Sequence, residues 1–382
     1  MRVYLDNGAT TQVGKGVVKA MEPYFLKVYG NASSLHTFGQ EAKKALEESR
    51  KIIAKKINAE PEEIIFTSGG TESDNLALKG IAFANKDKGK HIITTKIEHH
   101  AVERTCKFLE SDGFKVTYLD VDKEGFINLE QLKDSITKDT ILVSIIHANN
   151  EIGTIQDIES IGKLCKEKNI YFHTDTVQSL TKVPIDVKNQ NITLASFSAH
   201  KIHGPKGIGA LYIKKGTKIK KILDGGAQEN NIRAGTENLP SIIGFAKAVE
   251  ISKEDDLKRM EKLRDYFIER TLKEIPETKL NGPKKERLCN NINITFKYIE
   301  GEALLIKLDD KGIAVSTGSA CSSRELKPSH VLTAIGLHPA MAHGSIRFTL
   351  SKFTTKEELD YTIKNVKEVV AELRSISPLW RK

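Results

Sequence analysis

Lys201 stands in a short polar segment between two apolar runs, and its amine is the most reactive group that the sequence offers. The segment reads Ser198-Ala-His-Lys201-Ile-His-Gly-Pro-Lys-Gly207, which is typical of a tight loop between two strands. A lysine in a partly desolvated, cation-rich loop has a lowered pKa, so its amine can form a Schiff base with an aldehyde. An ordinary surface lysine in a turn would have the same local sequence, so other parts of the chain must decide between a reactive lysine and an ordinary one.

A second segment predicts an anion site at the start of a helix. An apolar run that ends at Thr67 leads into Ser68-Gly-Gly70-Thr71, and helical spacing follows at once. Glycines let the backbone approach an anion closely, and a helix N-terminus presents free N–H groups and a positive dipole end. A simple capped helix start, with Thr71 or Ser73 as the cap, explains the same pattern equally well.

Apolar runs and helical patterns then alternate, which predicts an α/β fold with a largely parallel sheet between helices. Ligands bind beyond the carboxyl ends of the strands in such sheets. Polar residues follow several of the predicted strands, in segments 68–71, 98–99, 147–151, 173–175 and 198–201. We therefore expect these segments to outline one site.

The residue types in these segments suit a phosphorylated aldehyde cofactor with a pyridine ring. Such a cofactor needs an amine, an acid at the ring nitrogen, phosphate ligands, a group over the ring face and donors to the ring substituents. The candidates are Lys201 for the aldehyde; Asp175 for the ring nitrogen; Gly70, Thr71, Ser198 and His200 for the phosphate; His99 for the ring face; and Asn150 and Gln178 for the ring substituents.

Composition narrows the class of protein. A chain of 382 residues can form one large domain and a smaller one, and no apolar run is long enough to span a membrane. The start of the chain does not resemble a signal peptide, so we expect a cytoplasmic protein. Its net charge of +9 comes from basic residues interleaved with acidic ones, as on solvated helix faces, so we expect no direct nucleic-acid binding.

The cysteines are Cys106, Cys165, Cys289 and Cys321, and their spacing indicates neither a disulfide framework nor a zinc site. Cys106 and Cys165 have apolar helical neighbours and are expected in the core. The sequence therefore leaves room for one reactive thiol.

A set of motifs, in this order along the chain, resembles the cysteine desulfurases of the NifS/IscS type, which belong to the class V aminotransferase family. The motifs are Asp6-Asn-Gly-Ala-Thr-Thr11, Asn31-Ala-Ser-Ser-Leu-His36, Thr67-Ser-Gly-Gly-Thr-Glu72, Glu98-His99, Asn149-Asn-Glu-Ile-Gly153, Asp175-Thr-Val-Gln178, Ser198-Ala-His-Lys201 and Ser319-Ala-Cys321. The resemblance implies fold type I of the pyridoxal-phosphate enzymes, with a mainly parallel seven-stranded sheet. It also implies a large cofactor-binding domain over 13–257 and a smaller α+β domain from 1–12 and 258–382.

Carried over position by position, the resemblance makes Lys201, Cys321 and His99 the catalytic residues. It implies the same cofactor ligands as those named above. It also adds Thr236, which would reach the phosphate bound by the other subunit of a homodimer. Asn150 and Arg347 would bind the substrate, with the guanidinium holding its carboxylate.

The implied activity is removal of sulfur from L-cysteine, with pyridoxal 5'-phosphate as cofactor. L-alanine would leave, and a persulfide on Cys321 would pass to an iron–sulfur scaffold protein of the IscU/NifU type. Cys321 would also be a transient iron–sulfur ligand, which is the one metal role expected. Nitrogenase-type clusters, general cluster assembly and tRNA thiolation are all open as destinations.

Other functions are compatible with parts of the pattern. A related aminotransferase or selenocysteine lyase would need Lys201 and Asp175 but not a thiol in a Gly-Ser-Ala-Cys321 loop. A non-catalytic protein of the same fold would need none of Lys201, Asp175 and Cys321. A nucleic-acid binder would need an aromatic or arginine-rich patch, which the sequence does not show. One departure from the family concerns Thr176, which stands where a small alanine is expected to pack on the cofactor ring.

Overall fold

The computed structural model of the chain describes residues 1–318 and 328–380. Its strands are β1 (Val3–Tyr4), β2 (Ile64–Thr67), β3 (His91–Thr95), β4 (Lys115–Leu119), β5 (Thr140–Ser144), β6 (Tyr171–Asp175), β7 (Leu194–Ser198), β8 (Gly209–Ile213), β9 (Thr278–Leu280), β10 (Asn291–Phe296), β11 (Ile313–Ala314) and β12 (Ser345–Thr349). Its helices are α1 (Lys15–Met21), α2 (Pro23–Leu26), α3 (Thr37–Lys56), α4 (Gly70–Asn85), α5 (His100–Ser111), α6 (Leu129–Ser135), α7 (Ile158–Glu167), α8 (Gln228–Ile232), α9 (Leu239–Glu250), α10 (Glu254–Glu274), α11 (Gly301–Asp310), α12 (His330–Ala334), α13 (Pro339–Ala342) and α14 (Lys356–Ile376).

The central sheet has seven strands in the order β2-β8-β7-β6-β5-β3-β4. Strands β4, β3, β5, β6 and β7 pair in parallel, whereas β8 is antiparallel to both β7 and β2. The predicted mainly parallel seven-stranded sheet is therefore confirmed. Because the parallel strands share one direction, the segments that follow them meet at a single edge.

Both faces of this sheet are covered, which explains why its strands are apolar with little alternation. Strands β5, β7 and β8 are buried at every position. Helices α1, α3 and α9 contribute to the core on one face, and helices α4 and α5 contribute to the core on the other. The helices pack on the strands and hold the strand ends in place, and the polar segments follow those ends.

Two smaller sheets lie outside the central one. Strands β12, β10 and β9 form an antiparallel sheet in that order, and β1 pairs in parallel with β11. Val3 and Leu5 pack in one apolar cluster with residues of β10, β12 and α14. This packing joins the first residues of the chain to its last third, as the proposed two-domain division requires.

The apolar spacing from Val17 to Phe25 predicts one helix, but the structure has two. Helix α1 ends at Met21 and α2 begins at Pro23. Proline has no N–H to donate, and its ring is favoured at the first position of a helix rather than inside one. In residues 1–318 and 328–380, no helix is long and apolar enough to cross a membrane.

Candidate active site

A cavity of about 260 Å³ lies at the carboxyl edge of the central sheet. All five polar segments predicted from the sequence contribute to its wall, together with the N-terminal segment and β12. The lining residues are Gly8, Ala9, Gly70, Thr71, Asp74, His99, Ile146, Asn150, Asp175, Val177, Gln178, Ser198, His200, Lys201 and Arg347. The structure therefore brings together every sequence-predicted site residue except Thr236 and Cys321.

Of those two, only Thr236 is among the described residues, and it lies elsewhere. Thr236 is exposed and lines a separate cavity of about 240 Å³ beside Ser68 and Arg233. Cys321 falls in 319–327, outside the described residues. Gly318 and Ser329, near the two ends of that segment, are both close to the Glu151 carboxylate: the Ser329 hydroxyl donates to Oε2 at 2.5 Å, and a Cβ on Gly318 would lie 3.2 Å from it.

Lys201 is held inside the cavity, not on an exposed turn. It closes a short 3₁₀ turn, Ala199–Lys201, directly after β7. Its Nζ donates to the carbonyl oxygens of Gly8 at 2.6 Å and Ala9 at 2.8 Å. These two hydrogen bonds hold the Lys201 Nζ in place, so its position is set by a chain segment 192 residues away.

Asp175 ends β6 and is buried, with its Oδ1 accepting the Val177 N–H at 2.9 Å. Burial raises the pKa of Asp175 to about 6, although the Val177 N–H and the charge of Lys201 act in the opposite direction. A carboxylate in such a dry position can pair with a protonated ring nitrogen.

Sequence reasoning missed Asp74, which lies in α4 and also lines the cavity. Burial, followed by the negative charge of Asp175, raises the pKa of Asp74 well above its usual range. Two neighbouring buried carboxyls resist carrying charge together, so Asp175 carries it and Asp74 is neutral at pH 7. The sequence gives little signal for it, because Asp74 stands four residues after Gly70 in a polar stretch that also holds Glu72 and Asn75.

His99 precedes α5 and accepts the Ala101 N–H on Nδ1 at 3.1 Å, so the neutral ring carries its proton on Nε2. Burial lowers the pKa of His99 to about 4, and the charges of Lys201 and Arg347 add to the effect. The ring is therefore neutral at pH 7, which suits a flat group over a cofactor ring.

The start of α4 has the geometry of an anion site. The residue before it, Gly69, makes no side-chain cap, so the expectation of a simple Thr71 or Ser73 cap is wrong. A Cβ on Gly70 would lie 2.6 Å from Cγ2 of Val177, closer than real Cβ contacts come. A Cβ at position 70 would therefore require the Val177 side chain to shift, and the first turn of α4 opens towards the cavity with its positive dipole end.

Ser198 and His200 lie on the same side of the cavity as this helix start. Ser198 is the last residue of β7, and His200 Nδ1 is 3.2 Å from the Thr10 hydroxyl. Burial and the charge of Lys201 lower the pKa of His200 to about 4. A neutral imidazole can still donate one hydrogen bond to a phosphate oxygen.

Arg347 in β12 is 1% exposed and closes the opposite side of the cavity. Its Nη1 donates to the Asn150 carbonyl at 3.0 Å, and its Nη2 pairs with Asp6 Oδ1 at 3.0 Å. Its Nε is buried and has no hydrogen-bond partner among the described residues. A cation with an unused donor is the feature that a substrate carboxylate requires.

The side chains just beyond β6 differ in whether they reach the cavity. Gln178, assigned to the ring substituents from the sequence, lines the cavity and donates to the Gly8 carbonyl at 3.0 Å. Thr176 is fully buried and donates to the Ser196 carbonyl at 2.6 Å, and it is not among the lining residues. Val177 lines this part of the wall instead.

The cavity fits pyridoxal phosphate by several independent features. It holds one amine and one charged carboxylate, and its wall excludes a side chain at Gly70, beside a helix start. Arg347 in the same wall supplies a cation for a second, separate anion contact. A phosphorylated aldehyde that carries an amino acid needs this arrangement, with the phosphate and the carboxylate at different ends.

Comparisons with known proteins agree with this geometry. The family model for class-V aminotransferases matches residues 3–362. Cysteine desulfurase IscS of Dictyoglomus turgidum is 55% identical to this chain, over 98% of the chain and 96% of its own length. The protein of the same name from Methanosarcina thermophila is 56% identical, over 100% of this chain and 95% of its own length.

Solved structures extend the likeness to the fold. A protein described as NifS-like superimposes with a TM-score of 0.92 at 41% identity, covering 98% of this chain and 100% of that one. A structure described as SspA in complex with cysteine has a TM-score of 0.83 at 39% identity, covering 92% of this chain and 100% of that one. With a family match over nearly its whole length, the chain belongs to the class-V aminotransferases.

Proposed function

We propose that this protein is a pyridoxal-phosphate-dependent cysteine desulfurase that takes sulfur from L-cysteine and leaves L-alanine. The observation that carries the proposal is a single dry cavity in which Lys201, Asp175 and His99 face the same space. The relatives named cysteine desulfurase match the chain from end to end, which supports this activity over others of the family.

Pyridoxal phosphate, when bound, supplies an electron sink for negative charge at the α-carbon of the substrate. Asp175 would hold a proton at the ring nitrogen, and Gly70, Thr71, Ser198 and His200 would hold the phosphate. His99 would cover the ring face, and Asn150 and Gln178 would bond the ring substituents. The partner subunit's Thr236 completes the phosphate contacts in this proposal.

Lys201 would hold the cofactor aldehyde and would remove the α-proton of the substrate. Arg347 binds the substrate carboxylate, and Asn150 helps to place it. The Cys321 thiolate then forms a bond to the substrate sulfur while the substrate Cβ–S bond breaks, which leaves a persulfide on Cys321 and, after protonation, L-alanine. The described residues on either side of Cys321 reach Glu151, next to Asn150 in the cavity wall, which supports this step.

A homodimer is part of the proposal. Helix α2 and the start of α3 expose large apolar side chains, among them Leu26 at 81% and Leu35 at 91% exposure. Exposed apolar patches of this kind mark protein–protein contacts. The double variant Leu26→Glu with Leu35→Glu should elute as a monomer in size-exclusion chromatography with light scattering, whereas an unchanged dimer would exclude this surface.

The sulfur acceptor in the proposal is an iron–sulfur scaffold protein of the IscU/NifU type, in keeping with the names of the relatives. Cys321 would act there as a transient cluster ligand. The proposal also includes a cytoplasmic location, because a reducing compartment keeps a nucleophilic thiol from forming disulfides.

The activity is tested by incubating the purified protein with L-cysteine and a reductant and measuring alanine and sulfide. Wild-type protein should be yellow and form both products, and the variants Lys201→Ala and Cys321→Ala should form neither. Cys106→Ala is the matched control, because Cys106 is buried in the core away from the cavity. Sulfide release by Cys321→Ala at the wild-type rate would show that the persulfide step is wrong.

A further inference from the structure

A second cleft, of about 680 Å³, lies at the opposite edge of the central sheet from the cofactor cavity. Thr140 and Tyr171, the first residues of β5 and β6, line it, and so does Thr193, which precedes β7. We call it the amino-edge cleft. Its charged lining residues are all lysines: Lys88, Lys138, Lys166, Lys168, Lys214 and Lys215.

None of these lysines is neutralised within the part of the chain that the structure describes. No aspartate or glutamate lines the cleft, and none of the six lysines takes part in an ion pair there. Lysines elsewhere on the surface do pair, for example Lys188 with Glu60 and Lys307 with Glu372. Like charges that share one concave surface repel each other and concentrate anions from solution.

Helix dipoles account for only part of this cluster. Lys166 lies in the last turn of α7 and Lys168 follows it, where a cation is favoured. Lys214 and Lys215 directly follow strand β8 and adjoin no helix end. Both are exposed, and the cleft has room for an anion beside them.

One buried polar group in the wall also lacks a partner. Asn85 is 1% exposed, and its Nδ2 donates to the carbonyls of Ile81 and Lys218, both at 2.9 Å, which fixes the orientation of its amide. Its Oδ1 accepts no hydrogen bond from any described residue. The ring of Tyr171 lies nearby in the same wall, with Lys88 Nζ 5.9 Å from its centre.

We propose that the amino-edge cleft binds a linear polyphosphate, either free or as the chain of a nucleoside triphosphate. Its volume is that of a site for one small ligand. The lysines match several phosphate charges at once, and the Thr193 hydroxyl adds a neutral donor. The Tyr171 ring in the same wall would contact a base, which favours the nucleotide over the free chain.

Calorimetric titration tests the binding, with sodium tripolyphosphate and ATP as separate probes. The protein is loaded with pyridoxal phosphate, so that the phosphate end of the cofactor cavity is filled. We expect saturable 1:1 binding of tripolyphosphate that weakens as salt is raised from about 0.05 to about 0.3 M. Tighter binding of ATP would identify a nucleotide as the source, and equal binding would identify free polyphosphate.

Charge reversal locates the site. Lys138→Glu with Lys215→Glu should weaken tripolyphosphate binding at least about tenfold, because each lysine would contribute a charge-assisted hydrogen bond. The matched control is Lys262→Glu with Lys364→Glu, which changes the net charge equally on exposed faces of α10 and α14. Both double variants should retain cysteine desulfurase activity, since none of these lysines lines the cofactor cavity.

Three results would overturn the proposal. The first is the lack of saturable binding by wild-type protein at low salt. The second is an equal loss of binding in the control variant, which would make the effect one of net charge alone. The third is binding of a single-stranded RNA more tightly than either probe, with loss in the same cleft variant, which would assign the surface to nucleic acid instead.

Discussion

Glu98 offers a quantitative test of the electrostatics beneath the cofactor cavity. Its Oε1 accepts from the Thr95 hydroxyl at 2.7 Å and from the Ile146 N–H at 3.0 Å, whereas its buried Oε2 has no partner among the described residues. Burial raises the pKa of Glu98 to about 8. The carboxyl is therefore mostly protonated at pH 7, and Glu98→Gln replaces it with a neutral group of the same shape.

The expected magnitude follows from proton linkage. The folded protein holds the Glu98 proton up to a pKa of about 8, and the unfolded chain releases it near 4.5. The stabilisation is therefore complete below the unfolded pKa and is lost as pH rises towards the folded one. Between pH 5 and pH 8, this group alone should lower the free energy of unfolding by about 3 kcal/mol, at about 1.4 kcal/mol per pH unit and less at the two ends.

Urea unfolding of wild-type protein and Glu98→Gln, measured across this pH range, isolates the effect. All other groups cancel in the difference between the two proteins, so the variant should gain about 3 kcal/mol relative to wild type from pH 5 to pH 8. Glu269→Gln, at an exposed position of α10, is the control and should show a constant difference. A constant difference for Glu98→Gln would refute the reasoning, because it would mean that Glu98 is ionised in the folded protein.

Four further substitutions test the cofactor cavity. Gly70→Ala should weaken pyridoxal phosphate binding at least about tenfold in equilibrium dialysis, because its Cβ would lie 2.6 Å from Val177; unchanged affinity would mean that the helix start is not the phosphate site. Thr176→Val should leave the absorbance maximum of the bound cofactor unchanged, whereas Val177→Leu should shift it, because only Val177 lines the cavity. Arg347→Lys should raise the KM for cysteine about tenfold or more with a smaller change in kcat, because an ammonium cannot replace the forked contacts of the guanidinium; an unchanged KM would exclude Arg347 as the carboxylate ligand.

Local sequence was sufficient for most of the sheet and for the residues at its strand ends. Apolar runs such as those of β3 and β5 are long and bounded by polar turns, so strand positions and the segments after them follow from periodicity. The three-residue strand β9 was not expected, because it is too short to show a pattern and exists through its pairing with β10. Strands of this kind depend on tertiary contacts more than on propensity.

The parts of the site that local sequence could not predict depend on contacts between distant segments. The Gly8 and Ala9 carbonyls that hold Lys201 are more than 190 residues away in sequence, and backbone acceptors leave no signature in residue type. That Val177 rather than Thr176 lines the cavity has a different cause. Beyond the end of β6 the side chains no longer alternate strictly between the two faces of the sheet, so the sequence pattern does not decide which of the two side chains meets the cavity.

Protonation is the property of the site for which the structure was indispensable. A histidine beside a phosphate site would ordinarily be read as a cation, yet burial lowers the pKa of both His99 and His200 to about 4. The cavity therefore holds neutral imidazoles together with Lys201 and Arg347. Because His99 Nδ1 is engaged by a backbone N–H, its single proton is on Nε2, from which the ring can donate a hydrogen bond. Such a ring can cover a cofactor without placing a further buried cation in the cavity, which a charged histidine at the same position could not do.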